Sequence, residues 1–586
     1  MLEQQISIKT IKAISFCALL VTIVITPWWS VDAFTPIKFA VTLLGTTIVI
    51  VAYGSGPIRA IIFSKYQRVL YISFLFTVTA SAFRSPKGLS ASFFGSTERL
   101  LGLGSVLSLG TLMFIVFNTT RQVNRSDLLK VVLSSIRVSN ILVVGLFFFQ
   151  LNGFGVERFD NIYAVPVSTL GNPNFLACFI AMSSIAWIPK LISDRESIYS
   201  KSGTLLILMI SLYGMTRSSS LQGILLFAAG LVCFSLLVLI HSKKLSVAKI
   251  GTSVLALLII LVIAFSKIET LQLNSLLYQQ TLQLRILYWK IAVRMLLEQP
   301  YFGWGFSSYF DNFRIFQSEQ EYMSFGAGVV SDSAHNYFLD FAVVGGLSLA
   351  IFFGIILIIM IRAVYLYIWR SINPKEAESS QIEFTLVSLV VVFVMQSLIN
   401  PFNMAIAFWG TVILGCTLSL GSNVVEKGVR FKEKRIEQKK RKYSPVIIGV
   451  IKLFVCLLLS PTFAIKAYRT DHDFRSAAET GNLGQLVNVA LESPISYYRF
   501  NAITSELLRE SDIPDYLRTS ANTVPPDQLK QIVLDLSYKM IEVNQQHLVA
   551  WINVYRTEKS LYKREKALRK IRNLDPHNPQ WKASQS

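Results

Sequence analysis

Charge is scarce in this chain of 586 residues, and so are cysteine and histidine. Asp, Glu, Lys and Arg make up 16% of it, against about a quarter in an ordinary soluble domain. The shortage excludes a soluble globular protein, and the 52% of hydrophobic residues and mean hydropathy of +0.50 exclude a disordered one. The five cysteines, Cys17, Cys178, Cys233, Cys416 and Cys456, all fall in apolar runs. That excludes a disulfide framework and a thiolate metal site, and leaves them as small buried hydrophobes. No Asp, Glu or His cluster has ligand spacing in the loops on the far side of the membrane, so no metal and no cofactor is expected.

What is present is a series of apolar runs, each about 18–22 residues long. Hydropathy gives about thirteen, at 11–29, 37–54, 67–83, 101–119, 128–150, 171–188, 203–216, 220–240, 249–266, 342–366, 382–399, 403–421 and 446–466. The first follows Lys9 and Lys12 and lacks a small-residue cleavage site, so it reads as a helix and not as a signal peptide. The predicted fold class is therefore all-α: a polytopic helical membrane protein.

The net charge of +21 does not mark a nucleic-acid binder, because the excess lies in alternate loops. Those loops and the flanking span ends carry Arg59, Lys65 and Arg68; Arg121, Arg125 and Lys130; Lys190, Arg195 and Lys201; Lys243, Lys244 and Lys249; Arg362, Arg370 and Lys375; and the run Lys427 to Lys442. This alternation puts them, with the N-terminus, on the cytoplasmic side. The basic run is expected to sit against anionic lipid. A large loop at about 267–336 and the tail 467–586 then share the extracytoplasmic side. The expected organisation is a membrane domain 1–422, a basic cytoplasmic linker 423–444, a further span 445–466 and an extracytoplasmic helical domain 467–586.

The tail is polar with helical periodicity at Gln528–Met540, at His547–Ser560 and around Ala567–Ile571. It closes on Leu574-Asp575-Pro576-His577-Asn578-Pro579, which resembles the end of a tetratricopeptide repeat. Repeats of that kind offer a concave surface for a protein partner.

Polar chemistry in a membrane protein gathers where it acts. Here it gathers between Leu284 and Tyr337. Arg285, Trp289 and Ala292 share one helical face, and Pro300, Gly303 and Gly305 end that helix and turn the chain. His335-Asn336 then stand at the entrance to the next span, with Gly345-Gly346 just inside it. An arginine fork suits a phosphate or diphosphate. A histidine titrates where a general base for a hydroxyl should. Taken singly, Arg285 fits an interfacial anchor and His335 a boundary polar group equally well.

The ordered set Arg285, Trp289, Ala292, Pro300, Gly303, Gly305, His335 and Asn336 resembles the O-antigen ligase and O-antigen polymerase superfamily, the Wzy-C-type membrane glycosyltransferases. Gly171-Asn172-Pro173-Asn174-Phe175-Leu176-Ala177 and Phe94-Gly95-Ser96-Thr97-Glu98-Arg99-Leu100-Leu101-Gly102 resemble two further motifs, and Pro36-Ile37-Lys38 a third more weakly. The resemblance covers roughly 10–422. It departs at Ser220-Leu221-Gln222-Gly223, where leucine stands in place of the family's second arginine. Arg217 lies four residues earlier and would share a face with Leu221 on a continuous helix.

The resemblance implies a glycan donor on a polyprenyl diphosphate, such as undecaprenyl diphosphate, at the outer face of the cytoplasmic (inner) membrane. It implies transfer to an acceptor hydroxyl in surface polysaccharide or lipopolysaccharide synthesis. On this reading Arg285 holds the diphosphate, with Arg217 and Arg99 assisting, and His335 deprotonates or orients the acceptor hydroxyl. Trp289, Asn336, Gly303, Gly305, Asn172 and Asn174 join Arg99 as substrate-binding candidates. Tyr288 and Trp304 suit sugar stacking or core packing, and Asp332 either orients His335 or is a loop residue. Ligase, repeat-unit polymerase and protein O-oligosaccharyltransferase differ only in the acceptor, which is a glycan, a lipid or a protein. A transporter would show an internal repeat of spans, which is missing; a scaffold would not need the Arg/His set.

Overall fold

The computed structural model describes residues 2–54, 65–96, 99–122, 125–153, 165–241, 282–326, 328–372, 381–421, 461–480, 483–492, 500–501, 503–504, 507 and 525–582. Every regular element among them is a helix. Eight are long and apolar enough to cross a membrane, and Val69–Arg84 and Met404–Leu418 are shorter apolar helices. The expected ninth span and most of the thirteenth lie outside the described residues. The protein is an all-α polytopic membrane protein.

The helices are α1 (Leu2–Ile23), α2 (Thr35–Gly54), α3 (Lys65–Arg84), α4 (Gly88–Phe94), α5 (Leu103–Gln122), α6 (Arg125–Leu151), α7 (Pro173–Ile185), α8 (Ile188–Ile192), α9 (Ile198–Arg217), α10 (Leu221–His241), α11 (282–298), α12 (Tyr309–Phe316), α13 (Glu319–Phe325), α14 (Tyr337–Ile372), α15 (Gln381–Ile399) and α16 (Met404–Leu418). Their ends are set by local chemistry. Asn172 caps α7, its side chain accepting from the Asn174 N–H, and Pro173 takes the first helical position. Asn403 caps α16 by accepting from Ala405 and Ile406. Inside the spans, Ser and Thr hydroxyls return to the carbonyl one turn back, as Thr22, Thr42, Thr119 and Ser183 do. Lys38 is 2% exposed, which is costly for an amine unless it is satisfied. Its Nζ donates to the Val21 and Thr22 carbonyls at 2.7 and 2.9 Å and so closes the C-terminal end of α1.

One continuous apolar core runs from α1 to α16. Helix contact is close where side chains are small. A Cβ on Gly223 of α10 would lie 2.6 Å from that of Ala177 on α7, so these two helices touch backbone to backbone.

Helix α14 is broken rather than bent. Gly346 has φ +63 and ψ −158. The backbone groups this frees are taken by the Pro300–Gly305 turn. Trp304 and Gly305 N–H donate to the Val343 and Val344 carbonyls at 2.8 and 3.0 Å, and Leu347 N–H donates to the Pro300 carbonyl at 2.6 Å. The turn is spliced into the helix and satisfies the groups that an unfilled break would strand.

The N-terminal ends of α5, α7, α10, α14 and α16 meet at one end of the bundle, together with α11 to α13. The C-terminal helices dock at that end too. In Pro461–Glu479, Asp471 accepts from the Asp32 N–H at 3.0 Å and Arg475 donates to the Ser30 carbonyl at 3.0 Å. Pro526–Val543, Leu548–Thr557 and Leu561–Leu574 follow as packed antiparallel helices.

Candidate active site

At that end lies a polar cavity of about 400 Å³. Its wall comes from six stretches that are remote in sequence. The loop before α5 gives Arg99, the start of α7 gives Asn172, Asn174 and Phe175, and α11 gives Leu284, Arg285 and Tyr288. Helix α12 gives Phe310, the loop before α14 gives Val330 to Asp332 with His335, and the bend after α15 gives Asn400 and Pro401.

Arg99 is aimed across the cavity. Its Nε donates to Asp332 Oδ2 at 2.8 Å and its Nη2 to Oδ1 at 3.3 Å, a bidentate pair between two loops. The guanidinium also lies over the Phe175 ring at 5.7 Å. The loop that carries it closes tightly: the Leu100 N–H reaches the Ser96 carbonyl at 2.7 Å.

His335 sits on a strained backbone, φ +54, which is rare for a side chain with a Cβ. Its surroundings hold it there. Ser333 Oγ accepts the His335 N–H at 3.2 Å, and Asp340 Oδ1 accepts from Ala334 at 2.6 Å. Asn336 Oδ1 accepts from Phe338 and Leu339, capping α14, while its amide donates to the Leu398 carbonyl at 3.1 Å. The imidazole lies 5.3 Å from the Tyr288 ring. Burial lowers its pKa from 6.5 to about 4; Asp332 opposes that shift, and Arg99 and Arg285 add to it. At neutral pH the ring is uncharged and has a nitrogen able to accept a proton.

Below the rim, three amide side chains form a chain. Asn400 and Gln222 both donate to Gln396 Oε1, at 2.5 and 2.7 Å. Gln222 Oε1 and Gln396 Nε2 are buried with no partner among the described residues. Ser220 Oγ donates to Asn174 Oδ1 at 2.7 Å, tying the start of α10 to the cavity wall. Among the described residues, no group of three or more His, Cys, Asp and Glu side chains stands where it would hold a metal ion.

The cavity thus gathers Arg285, His335, Arg99, Asn172 and Asn174 of the residues singled out in the sequence. The others stand elsewhere. Arg217 is exposed at the C-terminus of α9 and does not line the cavity. The expectation that it shares a face with Leu221 needs one continuous helix. Helix α9 stops at Arg217, and Ser219, at φ +58, turns the chain before α10 begins at Leu221. Gly303 and Gly305 belong to the splice: a Cβ on Gly303 would run into the Val343 carbonyl oxygen, and one on Gly305 would lie 2.5 Å from the Ser85 nitrogen. Trp289 packs with Leu287, Ile291 and Met295 behind the wall, and Asn336 is the α14 cap. Asn400, Gln396 and Gln222 were not singled out. The signal for Gln222 and Gln396 was a polar amide within an apolar span, which is expensive unless used, and Asn400 stands just past the end of one.

Next to this site is an apolar cavity of about 130 Å³ between α3, α5, α14, α15 and α16. Its wall includes Tyr337 and Phe402, chain neighbours of His335 and Pro401.

Residues 204–354 match the family model described as O-antigen ligase, Wzy_C. This stretch is similar to the O-antigen ligase domain. It runs from within α9 to eight residues past the break in α14 and contains Arg217, Arg285, His335 and the spliced turn; Arg99, Asn174 and Asn400 are supplied from outside it. No curated protein matches the chain. That family implies, at a coarse level, a glycosyltransferase-like ligase or polymerase activity on a lipid-linked glycan.

Proposed function

We propose that the polar cavity transfers a glycan from a polyprenyl diphosphate to an acceptor hydroxyl, on the extracytoplasmic face of the cytoplasmic membrane. The observation that carries this reading is the cavity itself: two guanidinium groups and an uncharged imidazole meet at the bundle end, beside an apolar cavity. The orientation rests on the alternation of basic loops, with Arg121, Arg125 and Lys190 at the opposite end.

Arg285 and Arg99 hold the diphosphate. Arg99 exchanges its Asp332 partner for the donor, which leaves the Asp332 carboxylate to act on His335 and raise its basicity. His335 takes the proton of the acceptor hydroxyl as its oxygen bonds to the anomeric carbon. The bond from that carbon to the diphosphate oxygen breaks, and the electron pair leaves with the lipid diphosphate, whose charge the arginines stabilise. The Asn172, Asn174 and Asn400 amides offer donors and acceptors to sugar hydroxyls. The isoprenoid chain would lie along the apolar cavity.

The test compares cells carrying wild type, Arg285→Ala and His335→Ala at matched membrane levels. Both variants should accumulate lipid-linked glycan and lose the mature product. A lost length ladder identifies a polymerase, full-length polymer retained on lipid identifies a ligase, and an unglycosylated protein identifies an oligosaccharyltransferase. Wild-type glycans in both variants would refute the reading.

A further inference from the structure

Helix α12 is gripped from two sides. On the inner side, Phe310 lines the cavity and Tyr309 Oη donates to the Tyr288 carbonyl at 2.7 Å, bracing the helix that carries Arg285. Arg294 of that same helix donates to the Phe316 carbonyl at 2.9 Å. On the outer side, Asp311 is buried, and its Oδ2 lies 2.7 Å from Lys87 Nζ and 3.3 Å from Asn544 Nδ2 of the C-terminal helices. Lys87 also donates to the Ser307 carbonyl at 2.8 Å. One turn on, Arg314 lies 3.6 Å from Asp575, and Ile315 packs into the apolar cluster of Leu534, Trp551 and Val554.

A buried carboxylate is costly unless it is paired. Asp311 therefore fixes three bodies at one point: the membrane bundle through Lys87, the catalytic loop through its own helix, and the C-terminal domain through Asn544. We infer that Asn544 and Asp575 of the C-terminal domain are positioning residues for the transfer reaction. By holding α12 they set the Phe310 wall and the Arg285 helix. This inference rests on the transferase reading of the cavity. It gives the C-terminal domain a role within the active site's architecture, although none of its described residues lines the cavity. Reacting groups must be held closely: a displacement of about 1 Å costs up to about 100-fold in rate.

The test uses the purified full-length chain with an envelope extract from cells that lack the protein, which supplies both lipid-linked glycan and acceptor, reading release of the polyprenyl diphosphate. Asn544→Asp places a second carboxylate against Asp311. The charged and titratable groups facing that pair are Lys87, from the α3–α4 connection, and the buried His547 of the C-terminal domain. Two carboxylates in one site share a proton as pH falls. The variant should lose about tenfold or more in kcat at about pH 8 and regain most of it near pH 5.5, whereas wild type should show no such recovery. Arg314→Met should lose activity and Arg314→Lys should restore it. Arg285→Ala, run alongside, should be inactive. An Asn544→Asp profile parallel to wild type, or equal activity in Arg314→Met and wild type, overturns the positioning role. An active Arg285→Ala overturns the transferase reading instead. Where Asn544→Asp does not reach the membrane folded, the Arg314 pair decides.

Discussion

On the proposed reading His335 takes the proton of the acceptor hydroxyl, and its pKa gives that role a signature. Burial and the two arginines hold the free imidazole near pH 4 rather than 6.5. The acid limb of kcat/KM, which reports the free enzyme, should therefore fall near pH 4, and activity should be flat through pH 6.5. Bound diphosphate brings negative charge, so the limb of kcat should lie higher than that of kcat/KM. A kcat/KM limb at about pH 6.5 would mean that His335 is solvated in the working enzyme. The same shift has a stability cost. The folded pKa is depressed, so the unfolded chain binds the extra proton first, and stability falls as pH drops from 6.5 towards 4. Arg285 and His335 were legible in the sequence, because an ordered motif in one loop survives in one dimension. The importance of Arg99 was harder to see, because its partner Asp332 lies 233 residues away. Arg217 does not line the cavity, and a four-residue spacing carries no shared face across the helix break at Ser219.

At the scale of elements, the Pro300–Gly305 turn and the broken α14 form one unit. The sequence showed the punctuation at Pro300, Gly303, Gly305 and Gly345-Gly346, but not that these glycines face one another. A turn motif reads as a place for substrate until the backbone that crosses it is known. Gly303 has φ +64, and a Cβ there meets the Val343 carbonyl. Gly303→Ala should cost at least about 1–3 kcal/mol in backbone strain alone. The expected result is a lowered Tm in detergent and less folded protein in the membrane, with lipid-linked glycan accumulating in proportion. An unchanged Tm would show that the splice does not constrain this position.

For the whole molecule, hydropathy was sufficient to define the class, because a span is a local property of about 20 residues. All-α architecture and the membrane class follow from that alone. What hydropathy does not encode is which loops converge. Six stretches build one cavity, and only the part within residues 204–354 belongs to the matched family domain. The remainder comes from loops whose role depends on helix packing, such as the α7–α10 contact at Gly223 that brings Ser220 to Asn174. The docking of the C-terminal helices on Asp32, Asp311 and Arg314 was likewise invisible, since each contact joins residues hundreds of positions apart or sits on an otherwise ordinary helix face. The bundle, helices α11 to α13 and the C-terminal helices share their contacts at one end, so that end is where function is expected to reside.

The central claim is that transfer takes place in the cavity bounded by Arg99, Arg285 and His335. The most direct measurement is the rate of polyprenyl diphosphate release, with lipid-linked glycan and acceptor both supplied by envelope extract, for purified Arg99→Ala and Arg217→Ala, with Arg285→Ala as reference. Both Arg99 and Arg217 are arginines of the same bundle end, but only Arg99 lines the cavity. The account predicts a loss of about 10²–10³-fold for Arg99→Ala and Arg285→Ala, and a rate within about twofold of wild type for Arg217→Ala, as for a surface substitution away from the chemistry. A large loss at Arg217 with Arg99→Ala near wild type would contradict it and move the reaction away from this cavity.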